Sequence, residues 1–246
     1  MSEESKNILS KLKELNKKKS VGIFLPSLGK KVKFLPFTLK QQKDILSKMP
    51  QDASGLITFN SLFNDIIIAN CEDEVKLEDI NIFDRMSIVF SYRISSIGGN
   101  VESDEGEINL NEVIKAISNY DFTKIFKDIE VSLKDISATL CIPNLKYDAE
   151  INSQISKKIS KNASTQQIIS EIYTSEVLKF IKEVTVDDVK VNLTTMNYYD
   201  KLEVVENLPG NFVKKIMKFI QDVKDVENII TTVNGVKVDV SNDLFS

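Results

Sequence analysis

Histidine and tryptophan are absent from this 246-residue chain, and cysteine occurs only twice. Without imidazole, a serine or cysteine nucleophile lacks its usual base. Two thiols at Cys71 and Cys141, far apart and with no CxxC spacing, offer no zinc ligand set. They suit a reducing compartment better than a disulfide scaffold, and each is expected to be a small buried core residue. Neither GxxxxGK[ST] nor GxGxxG occurs, and Gly98-Gly99 follows a helical pattern where a phosphate-binding loop should follow a strand. No apolar run approaches the roughly 20 residues that cross a bilayer. The start, Met1-Ser2-Glu3-Glu4-Ser5-Lys6, lacks the basic and apolar regions of a secretory signal, so the protein is expected to stay where it is made. Internal repeats, heptad registers and low-complexity tracts are missing too.

What is present is a globular composition, 42% hydrophobic and 28% charged, with the charge unevenly placed. Residues 1–48 hold twelve Lys against Glu3, Glu4, Glu14 and Asp44, a balance of +8, and the remainder carries −12. A basic head on an acidic body admits a nucleic-acid arm, since clustered Lys neutralises phosphates. The run Lys17-Lys18-Lys19 has no Arg and no interleaved aromatic to stack bases, so a solvated end or a contact to an acidic protein surface is favoured.

Periodicity orders the elements. Ile8, Leu12 and Leu15 predict a short amphipathic helix over 5–16. Residues 22–25 and 31–37 read as strands joined by Pro26-Ser27-Leu28-Gly29. Thr38 caps a helix with Leu39, Leu46 and Met49 as its apolar stripe, ended by Pro50. Residues 56–70 form a central helix with Phe59, Leu62, Phe63, Ile66 and Ile67 on one face and Ile57, Ile68 and Ala69 extending it. A third runs over 84–97, with Met86, Val89, Phe90, Arg93 and Ile97 on its stripe, and stops at Gly98-Gly99. Acids, Gly and Ser over 100–107 suggest a boundary or an exposed loop.

Residues 110–117 look helical. Ile129, Val131 and Leu133 alternate with polar residues, and so do Ile136, Ala138, Leu140 and Ile142, one residue out of phase, so a bulge or tight turn is needed at Lys134-Asp135. Ser164 and Gln167 make a capping box for a helix reaching about Glu183. Val189, Val191 and Leu193 suggest a strand, Tyr198, Leu202 and Val205 a helix broken at Leu208-Pro209-Gly210, and Phe212 to Val223 a last helix. Residues 229–233 and 236–240 flank Asn234-Gly235, the strongest hairpin signal. The class is α+β, with an N-terminal β-hairpin plus helices and C-terminal mixed helices and short antiparallel strands. The expected divisions are a basic arm over 1–21, a hairpin and three-helix unit over 22–99, and a mixed unit over 100–246.

Chemistry has few candidates. Asp187-Asp188 and Asp104-Glu105 are adjacent acids in predicted loops, better read as solvated than as an acid/base pair. Arg93 is expected to hold an ion pair or backbone carbonyls. No catalytic residue, metal site or cofactor is expected, and the chain is read as a non-enzyme.

Several stretches carry a resemblance: residues 25–37 (LPSLGKKVKFLPF) with the Lys- and Gln-rich helix after them, Asn64 to Cys71 (NDIIIANC), and the Asp84 to Gly98 helix ending Arg93-Ile94-Ser95-Ser96-Ile97-Gly98. The Val204 to Leu208 segment with its Pro209 break, the Phe219 helix, and the end from Asn234-Gly235 to Leu244-Phe245 continue it. In this order, from about Gly22 to Phe245, the chain resembles the base plate protein family of T-even-type contractile-tailed phages. Leu35 stands where relatives often have Arg. Some members carry a cysteine pair after the third helix, but residues 99–107 contain no Cys, so no metal-bound subdomain is expected.

The resemblance implies a structural subunit or assembly chaperone of the central baseplate hub, working by protein–protein interaction with other hub proteins. Its implied locations are the host cytoplasm during assembly and the virion tail baseplate. The expected contacts are Leu28, Lys30, Lys31 and Lys33 on a projecting hairpin, and Gln41, Gln42 and Lys43 on the next helix. The rival readings are a nucleic-acid-binding accessory protein acting through residues 6–33, and a carboxylate-dependent hydrolase with two convergent acids of raised pKa in a deep cleft.

Overall fold

Ile8, Leu12 and Leu15 do build a helix, α1 (Glu3–Lys17), with Glu3 and Glu4 in its first turn and Lys17 in its last, signs that suit the helix dipole. The computed structural model describes residues 3–17, 19–47, 53–103, 106–158 and 164–238. The hairpin follows as β1 (Val21–Leu25) and β2 (Lys30–Phe34), paired antiparallel with Ile23 opposite Val32. β2 stops three residues before the expected Phe37. Pro36 has no amide for a ladder, and the Leu35 amide turns instead to the Asn70 carbonyl (2.8 Å).

Three helices come next: α2 (Leu39–Ser47), α3 (Ala53–Asn70) and α4 (Ile82–Ser96). The expected stop of α2 at Met49 and Pro50 lies outside the described residues. α2 buries Ile45, while Leu39 and Leu46, expected to face the core, are 68% and 51% exposed. α3 buries Phe59, Phe63, Ile66 and Ile67 as expected, but Ile68 faces solvent. α4 starts two residues earlier than its apolar spacing implied, because Asn81 and Asp84 form a capping box there.

Residues 100–107, expected as a loop or boundary, contain β3 (Asn100–Ser103) and the start of β4 (Gly106–Asn109). Val101 and Ile108 lie opposite each other and are buried, which outweighs the polar composition around them. Asp104 and Glu105 lie outside the described residues. Arg93 plays its expected part, donating from Nη1 to the Gly98 carbonyl (2.6 Å) and from Nη2 to that of Asn100 (3.2 Å).

After α5 (Leu110–Asn119), capped by Asn109, β5 (Ile129–Leu133) and β6 (Ile136–Leu140) form a hairpin. Leu133 pairs with Ile136 across a two-residue turn in which Lys134 has φ 52°. That turn sets odd-numbered apolar residues of β5 opposite even-numbered ones of β6, so a tight turn resolves the phase slip. A register shift does occur, between Thr139 and Leu140, but against the next strand.

That strand follows two helices, α6 (Leu145–Lys158) and α7 (Thr165–Phe180), as β7 (Ile181–Val186) and then β8 (Val189–Asn192). The four strands pair antiparallel in chain order. β7 corrects the expectation of helix to Glu183: Val184, Thr185 and Val186 are β-branched, and pairing with β6 wins over another helical turn. Leu193, expected in β8, sits in a 3₁₀ turn.

α8 (Tyr198–Glu206) ends before Pro209, and α9 (Gly210–Thr231) runs about 33 Å. It absorbs residues 229–231, expected as strand, since Ile230 completes its buried face beside Val223 and Val226. β9 (Thr232–Val233) and β10 (Val236–Lys237) then close on Asn234-Gly235, whose φ values of 52° and 86° are those of the type I′ turn. Residues 239–240 of the expected last strand, and Leu244-Phe245, lie outside the described residues.

The class is α+β. Buried apolar residues from Ile23 to Val238 form one cluster. Packing crosses residues 99 and 100: the Leu110 amide donates to the Gly99 carbonyl (2.7 Å), and the Leu145 amide to that of Ile80 (2.9 Å). Cys71 and Cys141 are free and half-buried, less enclosed than expected. Cys71 Sγ lies 3.2 Å from the Asp73 carbonyl, and burial pushes the Cys141 thiol up to about 11.

Candidate functional site

The basic surface expected on the hairpin exists, but the hairpin is docked rather than projecting. Alternation turns Ile23, Leu25, Val32 and Phe34 inward, all at most 1% exposed, and leaves Lys31 and Lys33 outward. Ser87 Oγ on α4 donates to the Phe24 carbonyl (2.6 Å), and the Ser27 amide in the turn donates to Asp84 Oδ1 (3.0 Å). Asp84 is fully buried and serves twice, because its Oδ2 also accepts the Asn81 amide (2.7 Å). Burial raises its pKa, against the pull of these hydrogen bonds.

The outer edge of β2 is occupied as well. Lys33 donates its amide to Asp73 Oδ2 (2.8 Å), and its carbonyl accepts the Glu72 amide (2.9 Å). The backbone of Lys33 is therefore already engaged there. Leu28 is half-buried against the core, while Lys30, at the hairpin tip, is exposed. Phe24, opposite Lys31, is half-buried, so the hairpin presents no exposed ring on which a base could stack.

On α2 the expected residues divide. Gln41 faces the body: it exchanges bonds with Thr38, whose amide donates to Gln41 Oε1 (2.9 Å), and its Nε2 donates to Asn70 Oδ1 (2.8 Å). The spacing Thr38-x-x-Gln41 is a capping-box signal that identifies Gln41 as structural. Gln42 is half-buried and Lys43 exposed. Lys40, not singled out from sequence, shares the outer face with Lys43, Leu39 and Leu46. None of Lys30, Lys31, Lys33, Lys40 and Lys43 has an ion-pair partner among the described residues. α1 adds a second apolar stripe, with Ile8, Leu9, Leu12 and Leu15 all exposed.

A cavity of about 400 Å³ is the other feature of note, lined by residues of α3, α4, α6, α7 and α9, with Phe59, Phe83 and Phe180 among its walls. Asp148 sits at its charged side. Its Oδ2 takes Arg85 Nη1 (2.6 Å) and Asn152 Nδ2 (3.1 Å), its Oδ1 takes Lys179 Nζ (3.0 Å), and Lys179 also reaches Glu176 (3.1 Å). Burial raises the Asp148 pKa, but Arg85 and Lys179 together outweigh it and hold the carboxyl at about 2. Lys179 shifts upward, because Glu176 and Asp148 overcome its own desolvation.

A carboxylate this acidic does not exchange protons near neutrality, so Asp148 is not the raised acid that the hydrolase reading required. Asp187 and Asp188 form the exposed turn between β7 and β8, and no group of three His, Cys, Asp or Glu side chains able to hold a metal occurs among the described residues. Sequence reasoning missed α6 and with it Asp148. Two of the six buried residues of α6 are polar, Asp148 and Asn152 beside Ile151 and Ile155, which blurs the apolar period. The available signal was Asn144, which caps the helix by accepting the Tyr147 amide (2.8 Å).

A family model described as T4 bacteriophage base plate protein matches residues 17–244. No curated protein and no solved structure matches the chain.

Proposed function

The chain belongs to the T4 bacteriophage base plate protein family, and on that premise we propose that it is a hub protein, a structural subunit or assembly chaperone acting by protein–protein contact. Its proposed partners are other baseplate hub proteins, met in the host cytoplasm during assembly and retained in the tail baseplate. No helix among the described residues is long and apolar enough to cross a membrane.

One observation carries this reading. The lysines of β2 and α2, which have no ion-pair partner among the described residues, and the exposed apolar side chains of α1 and α2 all lie within the first 47 residues, and the inner faces of β2 and α2 are buried against the core. Such a surface recruits partners by charge steering and holds them by apolar burial. Leu28, Lys30, Lys31 and Lys33 make the hairpin half of the contact, and Gln42 and Lys43 the α2 half. Gln41 supports the helix from beneath.

The test is charge reversal. K30E/K31E/K33E is expected to keep the wild-type circular dichroism and melting temperature, because all three side chains are exposed. It is expected to lose at least about tenfold in capture of hub proteins from infected-cell extract. Undiminished capture by the folded variant removes the hairpin from the contact.

A further inference from the structure

α2 and α8 are both nine-residue helices, and their solvent faces match in position and oppose in charge. On α2 the outward positions i, i+1, i+4 and i+7 are Leu39, Lys40, Lys43 and Leu46, and on α8 they are Tyr199, Asp200, Glu203 and Glu206. All eight are exposed, with Leu39 at 68%, Leu46 at 51% and Tyr199 at 69%. The lysines have no ion-pair partner among the described residues, and neither do Glu203 and Glu206; Asp200 accepts a hydrogen bond from Asn197 Nδ2.

We propose that the protein self-associates, with the outer face of α2 on one copy seated on the outer face of α8 on a second copy. An antiparallel crossing lays Leu46 against the Tyr199 ring, sets Lys43 and Lys40 over Asp200, Glu203 and Glu206, and opposes the two helix dipoles. A second copy is the occupant because the chain itself supplies both halves: a head of +8 and a body of −12. The two faces differ, so each contact leaves one α2 and one α8 free, and the assembly closes as a reciprocal pair or as a ring.

Nine residues of helix span only about 13 Å. The contact is therefore small and electrostatic, at the weak end of specific interfaces. It rests on the reading of α2 as a contact surface, and a second copy seated there competes with a hub partner for Lys43.

Sedimentation velocity on the full chain decides it. In 50 mM salt the wild-type protein is expected to form a species of at least twice the monomer mass at micromolar concentration. Its dissociation constant is expected to rise at least about tenfold in 500 mM salt, where the Debye length falls to a few ångströms. K40E/K43E alone and E203K/E206K alone are expected to be monomeric and folded. Mixed in equal amounts, they are expected to restore the larger species, because the reversed faces complement each other.

A wild-type protein that is monomeric at low salt overturns the proposal, and so does a mixture that stays monomeric. A monomeric wild type that still captures hub proteins through Lys30, Lys31 and Lys33 overturns self-association and leaves the hub reading standing.

Discussion

Asp148 shows how much one buried carboxylate can hold together. It joins α4 through Arg85 and α7 through Lys179 to its own helix, α6, which packs along α3. Replacing it with Asn leaves two cations facing a neutral amide in a desolvated place, and D148N is expected to cost about 3–5 kcal/mol, read as a fall in the urea midpoint. The pH dependence has a definite sign. The folded-state pKa of about 2 lies below the ordinary value of 3.8, so the stabilisation is complete above pH 4 and is lost as pH falls from about 4 to about 2. Its size is about 2 kcal/mol. Asp84 acts oppositely, since burial raises its pKa and acidification through that raised value towards the ordinary 3.8 favours the folded state. The acid limb of a wild-type stability curve is therefore expected to be shallower than that of D84N, in urea titrations at pH 2–6. Of these residues, Arg93 was legible from its place on a stripe before Gly98-Gly99, whereas Asp148 was hidden. A charge becomes readable as structural only when its surroundings are apolar, and its neighbour Asn152 is not.

At the scale of elements, the caps and turns were the legible part. Thr38 as a cap, Ser164 with Gln167, and Asn234-Gly235 each act through bonds among a few consecutive residues, so their chemistry is contained in the local sequence, although Gln41, expected as a contact, completes the Thr38 box. T38A removes one partner of the α2 box and is expected to cost about 1 kcal/mol, measured by urea unfolding. β7 and the β3–β4 hairpin were not legible, because their stability comes from pairing with β6 and from burying Val101 and Ile108, contacts that local sequence does not contain. The candidate site was half legible. Its lysines were evident from composition, but the outward turn of Leu39 and Leu46 depends on Ile45 taking the buried face. α1 makes an opposite pair of expectations. An isolated helix of 15 residues is marginal in water, and its apolar stripe of Ile8, Leu9, Leu12 and Leu15 is exposed. I8D/L12D is expected to leave the melting temperature within about 2 °C of wild type while reducing capture of hub proteins. A large drop in melting temperature would place α1 in the fold instead of at a contact.

The whole molecule has a core that runs without interruption from Ile23 to Val238. α3 packs along α6, α4 on α5, and α7 on α8 and α9, so each half of the sequence lends surfaces to the other. One cooperative unfolding transition is expected, with tyrosine fluorescence and far-ultraviolet circular dichroism tracing the same curve against urea. Two separated transitions would show that residues 22–99 and 100–246 fold as independent units. The acidic stretch at 100–107 resembles a linker in composition, while its Val101 lies in the core opposite Ile108.

The passage from α7 into β7 has a mechanical side. Phe180 ends the helix and Ile181 begins the strand, with no loop between them. Sixteen residues of helix and six of strand make a hydrogen-bonded run of about 44 Å. A loop would stretch under load and absorb it. This junction has no loop to take up slack, so a displacement of the helix is passed through Ile181 to the sheet and loads its bonds to β6.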